Sequence, residues 1–176
     1  DDLAGNTSSP ATVSLTVNPI ADDPVTVNDS DSTNEDVAVA IDVLANDSDV
    51  DGDLDPTSVV ITSGPSNGSV SVNPTTGVVT YTPDADYHGA DSFSYTVDDL
   101  AGNTSSPATV SLTVNPVADD PVSVNDSDST SEDVAVAIDV LVNDSDVDGD
   151  LDPTSVVITS APNHGAVAVN PTTGVV

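Results

Sequence analysis

The 176 residues contain no lysine, arginine, cysteine, methionine or tryptophan, and each absence closes a route. Nucleic-acid binding relies on cationic side chains that displace phosphate counterions, so no nucleic-acid partner is expected of a chain with formal charge −31. An anionic membrane surface repels the same charge. Without Cys there is no disulfide, thiolate metal site or thiol nucleophile, and cysteine usage carries no information on redox compartment. The two histidines, His88 and His164, occupy different positions of an internal repeat. Each reads as a surface residue, and a Ser-His-Asp triad needs a fixed imidazole pocket that the repeats do not share. No enzyme is expected. Signal peptide, lipidation motif and apolar run of membrane-spanning length are also missing, which for an interior fragment says nothing about the parent protein; both ends read as cuts in a longer chain, and no membrane insertion is expected of this fragment.

What is present is acid and short apolar alternation. There are 31 Asp and Glu residues, and the partners of so many carboxylates are hard cations such as Ca2+, which takes six to eight oxygen ligands. A polyacidic chain can also be a solvated, disordered tail. Against that, 36% of the residues are hydrophobic, mostly Val, Ile and Ala laid out at period two, which is enough to build cores.

An internal repeat decides the organisation. Asp1–Val79 runs parallel to Asp98–Val176 at an offset of 97 residues, with 9 substitutions over 79 positions. The linker Asn-Pro-(Ile or Val)-Ala-Asp-Asp-Pro-Val occurs at Asn18–Val25 and Asn115–Val122. The expected layout is therefore the C-terminal strand and linker of a preceding repeat over 1–19, a complete repeat over 20–116, and the N-terminal part of a following repeat over 117–176. Strand donation between chains is an alternative way to complete the end pieces, although nothing in them would replace the stretch from Thr80 to Val97.

Short period-two runs separated by Gly, Pro, Asn and Asp predict an all-β sandwich without helices. Seven strands are expected in the complete repeat: Val25–Asn28, Val37–Leu44, Ser58–Ser63, Ser69–Val72, Val78–Thr82, Ser92–Val97 and Ala108–Val114. Alternation places Val37, Val39, Ile41 and Val43 on one face, with Phe93, Tyr95 and Val97, and Val110, Leu112 and Val114, on the facing sides of their own strands. Tyr81, Tyr87, Phe93 and Tyr95 read as core and corner residues, which fill the space between two sheets.

The most specific signal is Asn46-Asp47-Ser48-Asp49-Val50-Asp51-Gly52-Asp53-Leu54-Asp55, repeated at Asn143–Asp152. Carboxylates at every second residue, with Gly permitting a sharp turn, can wrap oxygens around a calcium ion as the first half of an EF-hand loop does. The likeness ends there, because the twelfth position is Ser58, or Ser155 in the second copy, where an EF-hand has Glu. The loop lies between the second and third strands. A solvated acidic turn is the competing reading, but crowded like charges repel unless a cation neutralises them.

Strand parity predicts where the acids meet. If seven strands run alternately up and down, the second-to-third loop shares the entry pole with Asp98 and Asp99 and with linker residues Asp22 and Asp23. The exit pole gathers Glu35, Asp36, Asp84, Asp86 and Asp91 beside the next linker's Asp119 and Asp120. The candidate ligands are thus Asp22, Asp23, Glu35, Asp47, Asp49, Asp51, Asp53, Asp55, Asp91, Asp98, Asp99, Asp119 and Asp120. The second copy adds Glu132, Asp144, Asp146, Asp148, Asp150 and Asp152. Bound Ca2+ at such a junction would fix a hinge that charge repulsion otherwise loosens.

Glu35-Asp36, the Val43-Leu44-Ala45-Asn46-Asp47 run with Asp49, Asp51, Gly52 and Asp53, then Gly77, Val79 and Tyr81-Thr82-Pro83, form a recognisable set with Tyr87, Gly89 and Asp91-Ser92-Phe93-Ser94-Tyr95-Thr96-Val97. With the Ala-Asp-Asp-Pro linker, they resemble the bacterial immunoglobulin-like, cadherin-like tandem-95 repeats of large surface adhesins. The resemblance implies tandem seven-stranded Ig-like β-sandwiches acting as calcium-dependent spacers on a bacterial or archaeal cell surface. Adjacent repeats of the same array are then the first partners. A self-assembling extracellular filament, with other copies of the chain as partners, is the alternative; a carbohydrate- or protein-binding module would need an exposed aromatic patch.

Overall fold

The computed structural model describes residues 1–18 and 20–176; Pro19, in the first linker, lies outside the described residues. Seven strands form in the first repeat: β1 Asp29–Asn34, β2 Val39–Ile41, β3 Leu54–Ser63, β4 Gly68–Val72, β5 Val79–Pro83, β6 Gly89–Asp99 and β7 Ala108–Asn115. They make two sheets, ordered β1-β7-β6-β3 and β2-β5-β4. β1 pairs with β7 in parallel, while the other neighbours are antiparallel. That mixture follows from up-and-down parity, since the first and seventh strands run the same way.

The period-two alternation of β6 and β7 closes the core. Phe93, Tyr95 and Val97 on one strand and Val110, Leu112 and Val114 on the other are buried, and they meet Ile41, Val79 and Tyr81 from the second sheet and Val43 from the turn after β2. Tyr81, Phe93 and Tyr95 are the largest fully enclosed side chains. Tyr87 is partly buried against this cluster, its hydroxyl donating to the Ala90 carbonyl at 2.7 Å. Gly77 joins the layers at a position with φ +74°, where a Cβ would lie 2.8 Å from the Pro56 carbonyl oxygen.

Four expectations change in the structure. The first strand is not Val25–Asn28: Val25 makes only an isolated bridge with Ser48, and the strand falls on the polar run Asp29–Asn34 because β7 offers that run a parallel edge. The second strand shrinks from Val37–Leu44 to Val39–Ile41, and Val37 is 52% exposed, because Asp36 turns the chain at φ 59° immediately before it. The third strand begins earlier, at Leu54, so that Leu54 pairs with Asp99 and Asp55 with Asp98. A single 3-10 turn, Pro153–Ser155, also forms where no helix was expected, capped by the Asp152 side chain.

Asp1–Asn18 repeats Asp98–Asn115 residue for residue, yet the two copies fold differently. Both make the same Asx-type loop: Asp2 accepts from the backbone and side chain of Asn6 at 2.8 and 2.7 Å, and Asp99 accepts from Asn103 at 2.8 and 2.7 Å. Only the second continues into a strand. Val13, Leu15 and Val17 are exposed, with no strand flanking them among the described residues, whereas the matching Val110, Leu112 and Val114 are buried. The residues after 116 hold no counterpart of β6 and β7. Pairing there includes a Val122–Ser145 bridge, mutual hydrogen bonds between Ile138 and Val176 at 2.8 and 3.0 Å, and the Asn170 N–H on the Val175 carbonyl at 2.8 Å.

Candidate metal centres at the two poles

The entry-pole loop is built by short-range carboxylate acceptors. Asp49 Oδ1 takes the N–H of Asp51 at 2.7 Å and of Gly52 at 3.1 Å, and Gly52 completes the turn with φ +76°. This leaves Asp49 Oδ2 free to face Asp53 and Asp99. Oxygens of Asp49, Asp53 and Asp99 lie within 4.8 Å of one another, where β3 pairing brings the loop against the start of the β6–β7 connection.

The chemistry of this trio is one-sided. Asp49 Oδ2 and Asp53 Oδ1 are buried without a hydrogen-bond partner, and a carboxylate can only accept. Burial pushes the Asp53 carboxyl up, and the adjoining Asp49, Asp99 and Asp51 push it further. Burial acts the same way on Asp99, which is 3% exposed, but the donors of Asn103, Gly102 and Ala101 together outweigh it and hold its carboxyl below the usual range. Buried acceptor oxygens crowded around one point fit a cation.

The exit pole collects acids from both repeats. Glu35 is buried in the β1–β2 loop; its N–H donates to the Asn115 carbonyl at 2.9 Å, and its Oε1 accepts from Val117 N–H. Two residues on, Asp119 donates its N–H to Asp148 Oδ2 at 2.8 Å, which ties the linker to the acidic loop of the second repeat. Oxygens of Glu35, Asp119 and Asp148 lie within 4.8 Å of one another. Asp119 Oδ2 is another buried oxygen without a partner. Its carboxyl is pushed up by burial first, then by the charges of Asp86, Asp148, Glu35 and Asp36.

Asp36 and Asp86 both sit at positive φ, 59° and 58°, and the Asp86 N–H donates to Asp36 Oδ1 at 3.3 Å. Aspartate tolerates this left-handed region better than most residues. Strand parity had placed both at this pole, but spacing alone gave no reason to include them among the ligands. His88 Nδ1 lies 3.8 Å from Glu35 Oε2 on the exposed side.

Other candidate ligands have structural partners instead of sharing these trios. Asp47 accepts from Val27 N–H at 2.8 Å and from the Tyr95 hydroxyl at 2.8 Å, and Asp144 repeats the first contact with Val124 at 2.7 Å. Asp91 accepts from the backbones of Ser66, Asn67 and Ser92 and from the Tyr81 hydroxyl. Burial acts to raise its carboxyl, and those four donors more than offset that and lower it. Asp55 and Asp152 cap Thr57 and Thr154. Asp98 is held through its N–H on Ser58 Oγ at 2.7 Å, and Asp22 donates its N–H to Asp51 Oδ2 at 3.1 Å. Asp23, Asp120 and Glu132 are exposed. In the second copy Asp146, Asp148 and Asp150 group together.

This geometry defines a β-sandwich repeat whose poles carry acidic clusters able to hold a metal ion. The chain belongs to the bacterial cadherin-like domain family, which it matches over residues 21–116, and residues 118–176 match the bacterial Ig domain. Domains of these kinds are typical of surface proteins. Among curated proteins it is 36% identical over 124 residues to "Integrin beta-like protein C" of Dictyostelium discoideum, an alignment covering 61% of this chain and 6% of that protein. The chain thus spans only 6% of the length of that relative. No helix among the described residues is long and apolar enough to cross a membrane.

Proposed function

We propose that this chain is a calcium-stiffened spacer from an extracellular array, in which Ca2+ bound between Glu35, Asp119 and Asp148 locks each repeat to the next. The observation that carries this reading is the composition of that trio. Its members come from a loop of one repeat, the linker, and a loop of the following repeat, and Asp119 leaves a buried oxygen without a donor. Hard oxygen ligands of this kind suit Ca2+. The Asp49, Asp53 and Asp99 trio supports a second ion within the repeat, where it holds the β2–β3 loop against the loop after β6. The surface location typical of such domains and the polyanionic charge agree with work outside the cell, where free Ca2+ is abundant.

Calcium titration of the whole chain by calorimetry tests the assignment. Glu35→Gln keeps an acceptor for Val117 while removing a charge, so it is expected to weaken the junction site about tenfold or more and to leave binding at Asp49, Asp53 and Asp99 intact. Asp49→Asn gives the converse pattern. Absence of Ca2+ binding, or equal losses at both sites in either variant, contradicts the reading.

A further inference from the structure

A two-sheet sandwich has four strand edges, and exposed edges invite pairing unless they are short, charged, bulged or interrupted by Pro. Three edges here carry such a device. β1 bears Asp29 and Asp31. β2 is only three residues long and is followed by Asp42. β3 contains Pro56, and its pairing with β6 slips between Asp55 and Val60 and again between Ile61 and Ser63. β4 carries none: it reads Gly-Ser-Val-Ser-Val and pairs with β5 without a break from Gly68–Pro83 to Val72–Val79.

The charge map agrees with that choice. Asp and Glu leave their longest gap between Asp55 and Asp84; shorter gaps separate Asp2 from Asp22 and Asp99 from Asp119 and follow Asp152. The longest gap holds most of β3, all of β4 and all of β5. The chain has no cationic side chain to offset its acids, and β4 is an edge strand without a carboxylate of its own, so two copies that meet along it put no strand carboxylates opposite one another. The flanking hydrogen bonds, Asp84 N–H to the Asn67 carbonyl and Asn73 N–H to the Val78 carbonyl, fix the ladder's phase. The N–H and C=O groups of Gly68, Val70 and Val72 therefore point away from β5. They form a free row of donors and acceptors, with Ser69 and Ser71 exposed beside them.

We propose that β4 is a lateral self-association edge, pairing antiparallel with β4 of a second copy so that the two three-stranded sheets become one. The pairing is two-fold symmetric, each strand supplying the same groups to the other. This goes beyond the spacer function and does not require bound calcium. The Ser69→Ala and Ser71→Ala differences seen at Ala166 and Ala168 of the second copy keep that edge equally neutral.

Sedimentation velocity of the whole chain at physiological salt, where charges beyond about 8 Å are screened, is expected to show a concentration-dependent dimer. Raising the concentration should slow amide exchange at Gly68, Val70 and Val72. A Ser69→Asp, Ser71→Asp double variant puts like charges opposite one another, and Val70→Pro deletes an outward N–H without breaking a bond to β5. Each is expected to weaken the dimer by about tenfold or more with unchanged circular dichroism, while Ser69→Ala, Ser71→Ala keeps it. A chain that stays monomeric overturns the proposal. So does a dimer whose exchange slows only along the open trough of the second repeat at Val134, Val136 and Val167, a result that needs no variant to be informative.

Discussion

Replacing Tyr95 by Phe tests how the acidic entry pole is held to the core. The ring is fully buried, and its hydroxyl lies 2.6 Å from the Val43 carbonyl, 2.8 Å from Asp47 Oδ2 and 3.3 Å from Asp29 Oδ2. Burial, then the Asp47 charge, pushes the phenol far above its ordinary range, so it stays a donor at any pH the fold survives. Phe keeps the packing and deletes the one O–H that these three acceptors share. Asp47 then retains only the Val27 N–H. Hydrogen bonds to charged groups contribute about 1.5–3 kcal/mol, and about 2 kcal/mol in a domain of this size lowers Tm by roughly 8–16 °C. Tyr81→Phe is the internal comparison. Its hydroxyl contacts are longer, 3.1 Å to Asp91 and 3.2 Å to the Asn67 carbonyl, and Asp91 keeps three backbone donors. The loss there is expected to be nearer 1 kcal/mol, the value for an average hydrogen bond. Thermal and urea unfolding of both variants at one fixed calcium concentration gives the order. An equal or larger loss in Tyr81→Phe refutes the reasoning.

Two further predictions concern pH and backbone. In metal-free protein, Asp29, Asp53 and Asp119 have raised carboxyls in the folded state, each owing first to burial. Folding therefore takes up protons as pH falls from neutral toward the ordinary aspartate value of about 4, and stability should rise over that window. Below it stability should fall, as the lowered carboxyls of Asp91 and Asp99 are titrated in turn. With calcium bound the slope between pH 7 and 5 should reverse, because protons displace the ion; unfolding curves with and without chelator that share one sign of slope contradict this. Gly77→Ala puts a methyl 2.8 Å from the Pro56 carbonyl oxygen at positive φ. It should cost about 1–3 kcal/mol or more, measured by urea unfolding, whereas Gly64→Ala, with open space around it, should be near neutral.

How much of this was legible in the sequence depends on what buries each residue. Phe93, Tyr95 and Val97, and Val110, Leu112 and Val114, announce themselves because alternating apolar residues lose water on one side of a strand whatever lies opposite. β1 does not: Asp29–Asn34 is polar, and only the parallel edge of β7 makes it a strand. The identical segments Asp1–Asn18 and Asp98–Asn115 show the same limit within one molecule. Their Asx loop is local and forms twice, while their strand depends on neighbours and forms once.

At the poles, strand parity was enough to bring Glu35, Asp36 and Asp86 near Asp119, and the acidic loop near Asp99. Selecting within those sets needed the backbone. Asp47 belongs to the same acidic pattern as Asp49 and Asp53, and Asp91 to the exit-pole set with Glu35, yet they are occupied by Tyr95 and Tyr81, and the two aromatic hydroxyls that divert them carry no mark of that role in the sequence.

The central claim is that a divalent ion fixes one repeat relative to the next through Glu35, Asp119 and Asp148. Because the chain has no cysteine, a Ser111→Cys, Thr154→Cys variant, both sites exposed, accepts one spin label on each repeat. The distance distribution between the labels by double electron–electron resonance should be single and narrow in calcium and broad in chelator. Distributions of equal width in the two conditions would contradict the account.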